Sequence, residues 1–160
     1  MTNLNTMGQE LATAVAKMHL AAPDGSPLYI YTDENGNIQT VTVRDKQDVD
    51  YSPCLFHLVG KDSPQFRARQ AKVQAQLMKL MRTKQLEKRS AEESENMDIE
   101  TIATALVGWE NIPWSDTPNG KTYFIDYTTD NAIKVLKGYR PAMEQADEFV
   151  AERANFLGKR

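Results

Sequence analysis

Few residues of this 160-residue chain are of types that perform chemistry, and their spacing limits what that chemistry can be. Cys54 and His57 could form a thiol–imidazole pair or begin a metal site. On a strand, however, residues three apart point to opposite faces. Zinc needs further ligands, and His19 is the only other histidine. The pair therefore reads as a core thiol and an imidazole on a sheet surface. Asp33, Asn35 and Asn37 mimic the opening of a calcium loop. The glycine falls at the fourth position instead of the sixth, and Arg44 stands where the terminal glutamate belongs, so a hairpin turn is the better reading. Asp45, Asp48 and Asp50 lack the same features and read as a solvated loop. Gly60-Lys61 has Leu55 where a phosphate loop requires its first glycine. Glu144, Asp147, Glu148 and Glu152 read as the exposed acidic face of a helix. No catalytic, cofactor-binding or metal-binding residue is assigned, and the expected class is not an enzyme.

The elements that would position these residues fall into two groups. The first dozen residues are small and polar and are expected to be loose. Leu11 to Leu20 fits both a helical and an alternating pattern. Tyr29 to Thr32 and Ile38 to Arg44 read as strands joined by an Asn35-Gly36 turn, with a further strand at Cys54 to Val59. The pattern changes at Gly60. A long basic helix is predicted over 62–89, capped by Asp62 or Ser63, with Phe66, Val73, Leu77, Leu80 and Met81 as its apolar stripe. Ser90 to Glu95 reads as an acidic break. Asp98 then caps a short helix over 98–108, with Gly108 as its stop. Residues 109–127 read as irregular and aromatic, with Trp109 and Trp114 in a buried cluster. Helices over 129–137 and 141–157 complete the chain. The expectation is an α+β protein: an N-terminal antiparallel β region at 1–60, followed by a helical region of about four helices at 61–160.

The formal net charge of −3 hides an uneven layout. Residues 61–89 carry nine basic and two acidic side chains, while the flanking blocks are net −4 and −6. Such a segment could contact nucleic acid phosphates. Phe66 is its only aromatic, and no zinc finger, RRM or helix-turn-helix pattern is present, so nucleic acid is the weaker reading. A solvated helix that complements acidic segments of its own or a neighbouring chain fits better, with a homo-oligomer expected. The single cysteine suits a reducing compartment. No apolar run approaches a membrane span, and the N-terminus lacks the pattern of a signal peptide.

Three stretches carry a resemblance when taken in order. Gly60-Lys61-Asp62-Ser63-Pro64 leads into a helix with Phe66 and Arg67. Val107-Gly108-Trp109-Glu110-Asn111-Ile112 follows the short helix. Asn131-Ala132, then Gln145-Ala146-Asp147-Glu148-Phe149-Val150, Arg153 and Asn155-Phe156-Leu157-Gly158 close the chain. Across residues 55–158 this order resembles the tail assembly chaperones of long-tailed bacteriophages. The resemblance implies a non-catalytic protein of the host cytoplasm that binds the tape measure protein, is displaced by tail tube protein and is absent from the mature virion. The competing class is a virion structural protein, such as a minor tail or connector subunit.

The family defines no catalytic residues to transfer, so an interaction surface must come from this sequence. An amphipathic client helix docks its stripe into an apolar groove, and methionines adapt to varied partners. Met78, Met81 and Met97 flank the basic helix and the break after it, although each alone reads as ordinary core. The candidate partner-binding residues are Arg67, Lys72, Met78, Lys79, Met81 and Arg82.

Overall fold

The structure is a computed structural model that describes residues 3–85, 88 and 90–158. It mixes helix and strand. In chain order the elements are α1 (Leu4–Thr13), β1 (Val15–His19), β2 (Tyr29–Thr32), β3 (Ile38–Val41), β4 (Ser52–Pro53), β5 (Leu55–Val59), α2 (Pro64–Arg82), α3 (Ala91–Ala105), β6 (Leu106–Glu110), β7 (Pro113–Trp114), β8 (Tyr123–Phe124), α4 (Thr129–Gly138) and α5 (Arg140–Ala151). A 3₁₀ turn at Arg153–Phe156 follows. The strands form three small antiparallel sheets, ordered β1-β5-β6, β3-β2-β4 and β7-β8.

The core lies between the β1-β5-β6 sheet and helices α3, α4 and α5. Phe56 and Leu58 on central β5 are completely buried, and the alternation of a strand turns His57 to the other face. Burying each of these two apolar side chains contributes about 1.5–3 kcal/mol. From the helices come Ile99 and Ile102, then Val135 and Leu136, then Val150. Ala132, Ala142 and Ala146 have no exposed surface, so α4 and α5 cross the core through small side chains. Cys54 joins two sheets: its carbonyl accepts from Leu20 N–H at 2.9 Å, and its N–H donates to Leu28 at 3.1 Å.

Several expectations are corrected. Residues 4–13 are helical, not loose; Asn3 caps α1 by accepting from Thr6 N–H at 2.8 Å. The ambiguous segment after it divides into the end of α1 and strand β1. Strand β3 ends at Val41, short of Arg44. The long helix predicted over 62–89 stops at Arg82. Lys84 adopts a left-handed conformation (φ 56°), Gln85 N–H bonds to the Leu80 carbonyl at 2.9 Å, and Lys84 N–H bonds to that of Met81 at 3.2 Å. This is the hydrogen-bond pattern of a helix stop, formed here without glycine. The remainder of that predicted helix includes Leu86, Glu87 and Arg89, which lie outside the described residues.

The helix predicted over 98–108 is α3, which begins earlier and ends earlier. Ser90, not Asp98, is the cap and accepts from Glu93 N–H at 3.1 Å, with Glu92 and Glu93 in the favourable first turn. Leu106 to Glu110 is strand, so Gly108 lies in a sheet opposite His57 and ends no helix. The finer α+β order changes with it, because residues from beyond position 60 complete the first sheet. Residues 113–114 and 123–124, within the segment read as irregular, pair as a short ladder. The helix predicted over 129–137 is α4, and Thr128 accepts from Asn131 N–H at 3.0 Å. The last predicted helix, 141–157, ends at Ala151 and gives way to the 3₁₀ turn that buries Phe156.

Candidate partner-binding surface

Helix α2 and helix α3 form an antiparallel hairpin inserted between neighbouring strands β5 and β6. Its base is anchored. Ser63 is buried and its Oγ accepts from Phe66 N–H at 3.3 Å, while Pro64 occupies the first turn. Phe66 is the one buried residue of α2. Beside the cap, Arg153 grips both carboxylate oxygens of Asp62 at 2.8 and 3.1 Å, tying the helix entrance to the C-terminal turn. That pairing holds the Asp62 carboxyl below its ordinary range. Arg69 fastens the two helices. Its guanidinium donates to Thr101 Oγ1 at 3.3 Å, to the Met97 carbonyl at 3.4 Å and to Glu100 at 3.3 Å.

Burial fades along the hairpin. The residues of α3 that reach the core, Ile99, Ile102, Ala103 and Ala105, all lie in its second half. On α2, Val73, Leu77 and Leu80 face α3 but are only half-buried. Met78 and Met81 are 53% and 63% exposed. Helix α3 is held by α4 and α5, and Glu95 in its first half reaches Arg140 at 3.1 Å, whereas beyond Phe66 helix α2 buries no side chain fully and is the less stable member of the pair.

The six candidate residues are all exposed, yet they do not form one patch. At 3.6 residues per turn, Arg67 and Met78 lie on one line along α2, with Met81 and Arg82 on either side of it. Lys72 and Lys79, two turns apart, form a second line about 100° further round. The helix thus presents a methionine-bearing flank edged by arginines, and a separate lysine flank. Met97, by contrast, is half-buried within the hairpin.

The other chemistry-bearing residues are placed elsewhere. Burial pushes the Cys54 thiol up to about 12, which removes it as a nucleophile near neutrality. His57 Nε2 lies 2.7 Å from Glu110, and Lys17 Nζ lies 3.1 Å from the same oxygen. The His57 contact, then the Lys17 contact, hold the Glu110 carboxyl below its usual range. The sequence pattern hides this cluster because it extends a helix through residue 108 and leaves Trp109 and Glu110 in an irregular segment; a strand at 106–110 sets Glu110 beside His57. The cluster joins an imidazole, a carboxylate and an ammonium across three strands.

Asp33 serves its turn: one oxygen accepts from Asn35 and Asn37 N–H, both at 2.9 Å, and Gly36 takes a positive φ of 79°. A polar groove of about 1080 Å³ borders this hairpin, lined by Asp33, Asp48 and Asp50 among others. A smaller apolar pocket of about 290 Å³ lies over Cys54, between Leu20, Trp114, Val135 and Tyr139. Trp109 stacks on Phe56 at 5.9 Å and donates from Nε1 to Ile125 at 2.8 Å, a structural role. Glu144, Asp147, Glu148 and Glu152 are exposed. Among the described residues no group of three or more metal-ligating side chains converges, and no helix is long and apolar enough to cross a membrane. No protein-family model, curated protein or solved structure matches this chain.

Proposed function

We propose that this protein is a non-catalytic assembly chaperone of the bacteriophage tail type, which holds the tape measure protein until tail tube protein displaces it. The observation that carries the reading is the exposed Met78–Met81 flank on helix α2, whose only buried residue is Phe66. A long helical client offers apolar stripes, and an unbranched, polarizable side chain fits many such stripes without a fixed register. Arg67 and Arg82 at the edges of the flank would pair with acidic residues of the client and set its orientation more than its affinity. The order of motifs over residues 55–158 supports the same assignment. Action in the host cytoplasm and absence from the mature virion belong to this proposal.

Co-expression tests it. With this chain present, the tape measure protein encoded by the same phage should stay soluble and co-purify, and the double substitution Met78→Glu with Met81→Glu should abolish retention. An insoluble client in both cases would refute the reading. Stoichiometric recovery of the chain from purified virions would refute it too, in favour of a structural subunit.

A further inference from the structure

Helix α2 carries Arg67, Arg69, Lys72, Lys79 and Arg82 and no acidic residue. Arg69 is turned toward α3, where it meets Glu100 at 3.3 Å. Arg67, Lys72, Lys79 and Arg82 are exposed and form no salt bridge among the described residues. Asp62, whose charge Arg67 also feels, is already held by Arg153 through both oxygens. At 3.6 residues per turn, the side of α2 that meets α3 is marked by Phe66, Arg69, Val73, Leu77 and Leu80. The unpaired cations lie on the opposite side, within an arc of about 140° and over about 22 Å of the helix axis. Ala68, Ala71 and Ala75 run down the middle of that arc. Lys72 and Lys79 stand to one side of this line and Arg67 to the other, with Arg82 on the line at its far end. Gln65 and Gln76 lie beyond the lysines, and Gln70 and Gln74 beyond Arg67. Apart from the two methionines, every long side chain of this uncovered face can donate hydrogen bonds, and none is negative.

Arg67 and Lys72 point about 140° apart, so a partner that engages both must enclose the helix and be negative on two sides. A groove walled by two phosphate backbones does this, and the convex surface of an acidic protein helix does not. We infer that α2 is a docking surface for duplex DNA, lying in the major groove with the lysine row toward one backbone and Arg67 toward the other. A helix with its side chains is about 10–12 Å across, and the major groove is about 12 Å wide. Duplex DNA carries a charge about every 1.7 Å of its axis, so the row of cations meets phosphates in any register. Backbone contacts position without reading sequence, and sequence-independent binding is the consequence. Single strands are disfavoured, because they need exposed aromatic platforms and Phe66, the one aromatic of α2, is buried. Duplex RNA is disfavoured too, because side chains cannot enter its narrow major groove. The chain as a whole carries −3, so its body is repelled and the α2 face fixes the orientation. Arg67 and Arg82 also border the flank assigned above to the client, whereas Lys72 and Lys79 do not, so the two proposals separate at the lysines.

Fluorescence anisotropy of a labelled mixed-sequence DNA duplex, titrated with the full chain, tests the inference. Binding should appear at low salt below about 100 μM protein, and log K should fall against log salt with a slope of about −3.6, the value for four neutralised phosphates. No binding at that concentration, or a slope near zero, would overturn the proposal. Lys72→Ala with Lys79→Ala should weaken low-salt binding by about tenfold or more and make the slope shallower by about two. Lys121→Ala with Lys137→Ala removes two exposed lysines elsewhere and should leave binding unchanged. Equal losses in the two double variants would mean diffuse attraction and would overturn the assignment to α2. A duplex RNA of the same sequence should bind more weakly than the DNA, and equally tight binding would refute seating in the major groove. Polyglutamate that displaces the DNA as effectively, charge for charge, as unlabelled duplex would give the face to an acidic protein instead. Circular dichroism checks that both double variants fold, and the wild-type salt slope and the RNA comparison decide without any variant. Client retention by Lys72→Ala with Lys79→Ala should stay at the wild-type level, so a failure of DNA binding and a failure of the chaperone reading are seen separately.

Discussion

Replacing Phe66 with alanine tests whether the hairpin is seated as described. Phe66 is 6% exposed and is the only side chain of α2 that enters the core. Truncating a buried phenylalanine costs about 3–5 kcal/mol, from lost transfer energy and the cavity left behind. The position lies at the first turn of a helix whose far end packs loosely, so α2 can settle partly into the space. The lower end, about 3 kcal/mol, is therefore expected. For a chain of this size that corresponds to a fall in Tm of roughly 6–12 °C. Urea unfolding followed by tryptophan fluorescence measures it, because Trp109 stacks on Phe56 and meets Tyr127 edge-on at 5.2 Å in the core. Met81→Ala on the same helix is the internal control and should change stability by no more than about 0.5 kcal/mol. A loss below about 1 kcal/mol for Phe66→Ala would mean that the hairpin does not lean on this residue, and the anchored base would be wrong.

Two further outcomes follow from the charges and the thiol. The Asp62–Arg153 pair is formed by a carboxyl whose folded pKa is depressed, so its contribution is present above the ordinary carboxylate value and is lost as pH falls through the folded value. Arg153→Ala should lower stability only slightly at neutral pH, because the exposed pair is screened by solvent, and the difference from wild type should vanish in acid; a difference that persists there would assign the effect to packing. Cys54 should react with a disulfide reagent at pH 8 far more slowly in the folded protein than in urea. Its raised pKa stabilises the native state less and less as pH climbs from the ordinary thiol value toward about 12, and rapid labelling of the folded chain would contradict its burial.

Local signals in the sequence announce the features that depend on neighbours along the chain. The Asp33–Asn37 turn and the opposite faces of Cys54 and His57 follow from residues within a few positions. The misreadings arise where distant parts of the chain decide. Leu106 continues the 3–4 spacing of Ile99, Ile102 and Ala103, so the pattern extends a helix through it. The backbone changes to strand there because β5 offers an open edge, with Leu58 opposite Leu106. No local propensity outweighs that ladder. Gly108 then has a different purpose: a Cβ at this position would lie 3.3 Å from His57 Nδ1, closer than comfortable contact. Helix α1 was missed because its fastening is remote, with Gly158 N–H donating to the Glu10 side chain. The stop at Lys84 was missed because sequence reading looks for glycine in the left-handed conformation.

For the candidate surface, the residue types and their helical lines are legible in the sequence, but which of them stay uncovered is not. Arg67, Lys72, Met78, Lys79, Met81 and Arg82 were recognisable as an interaction-prone set from composition. Helical periodicity alone separates the methionine flank from the lysine flank; the orientation of α2 against α3, fixed by Phe66 and Arg69, decides which side is covered. The exposure of Met78 and Met81 also depends on where the hairpin leaves the core, which periodicity does not encode.

The placement of the hairpin carries a consequence for how the chain comes to be folded. Strands β5 and β6 are antiparallel neighbours, a relationship that a tight turn can close, yet residues 60–105 intervene. Because closure entropy grows only with the logarithm of loop length, so long an excursion adds little to the difficulty of bringing the two strands together. The excursion is itself a helical hairpin, whose contacts are local and form quickly. The hairpin can therefore assemble ahead of the sheet and shorten the effective distance between its strands. Conversely, once the sheet is closed, the outer turns of the hairpin can fray and re-form without breaking a single ladder hydrogen bond. Amide exchange should then resolve the molecule into a slow sheet and a fast tip, with the boundary near Phe66 and Ile99.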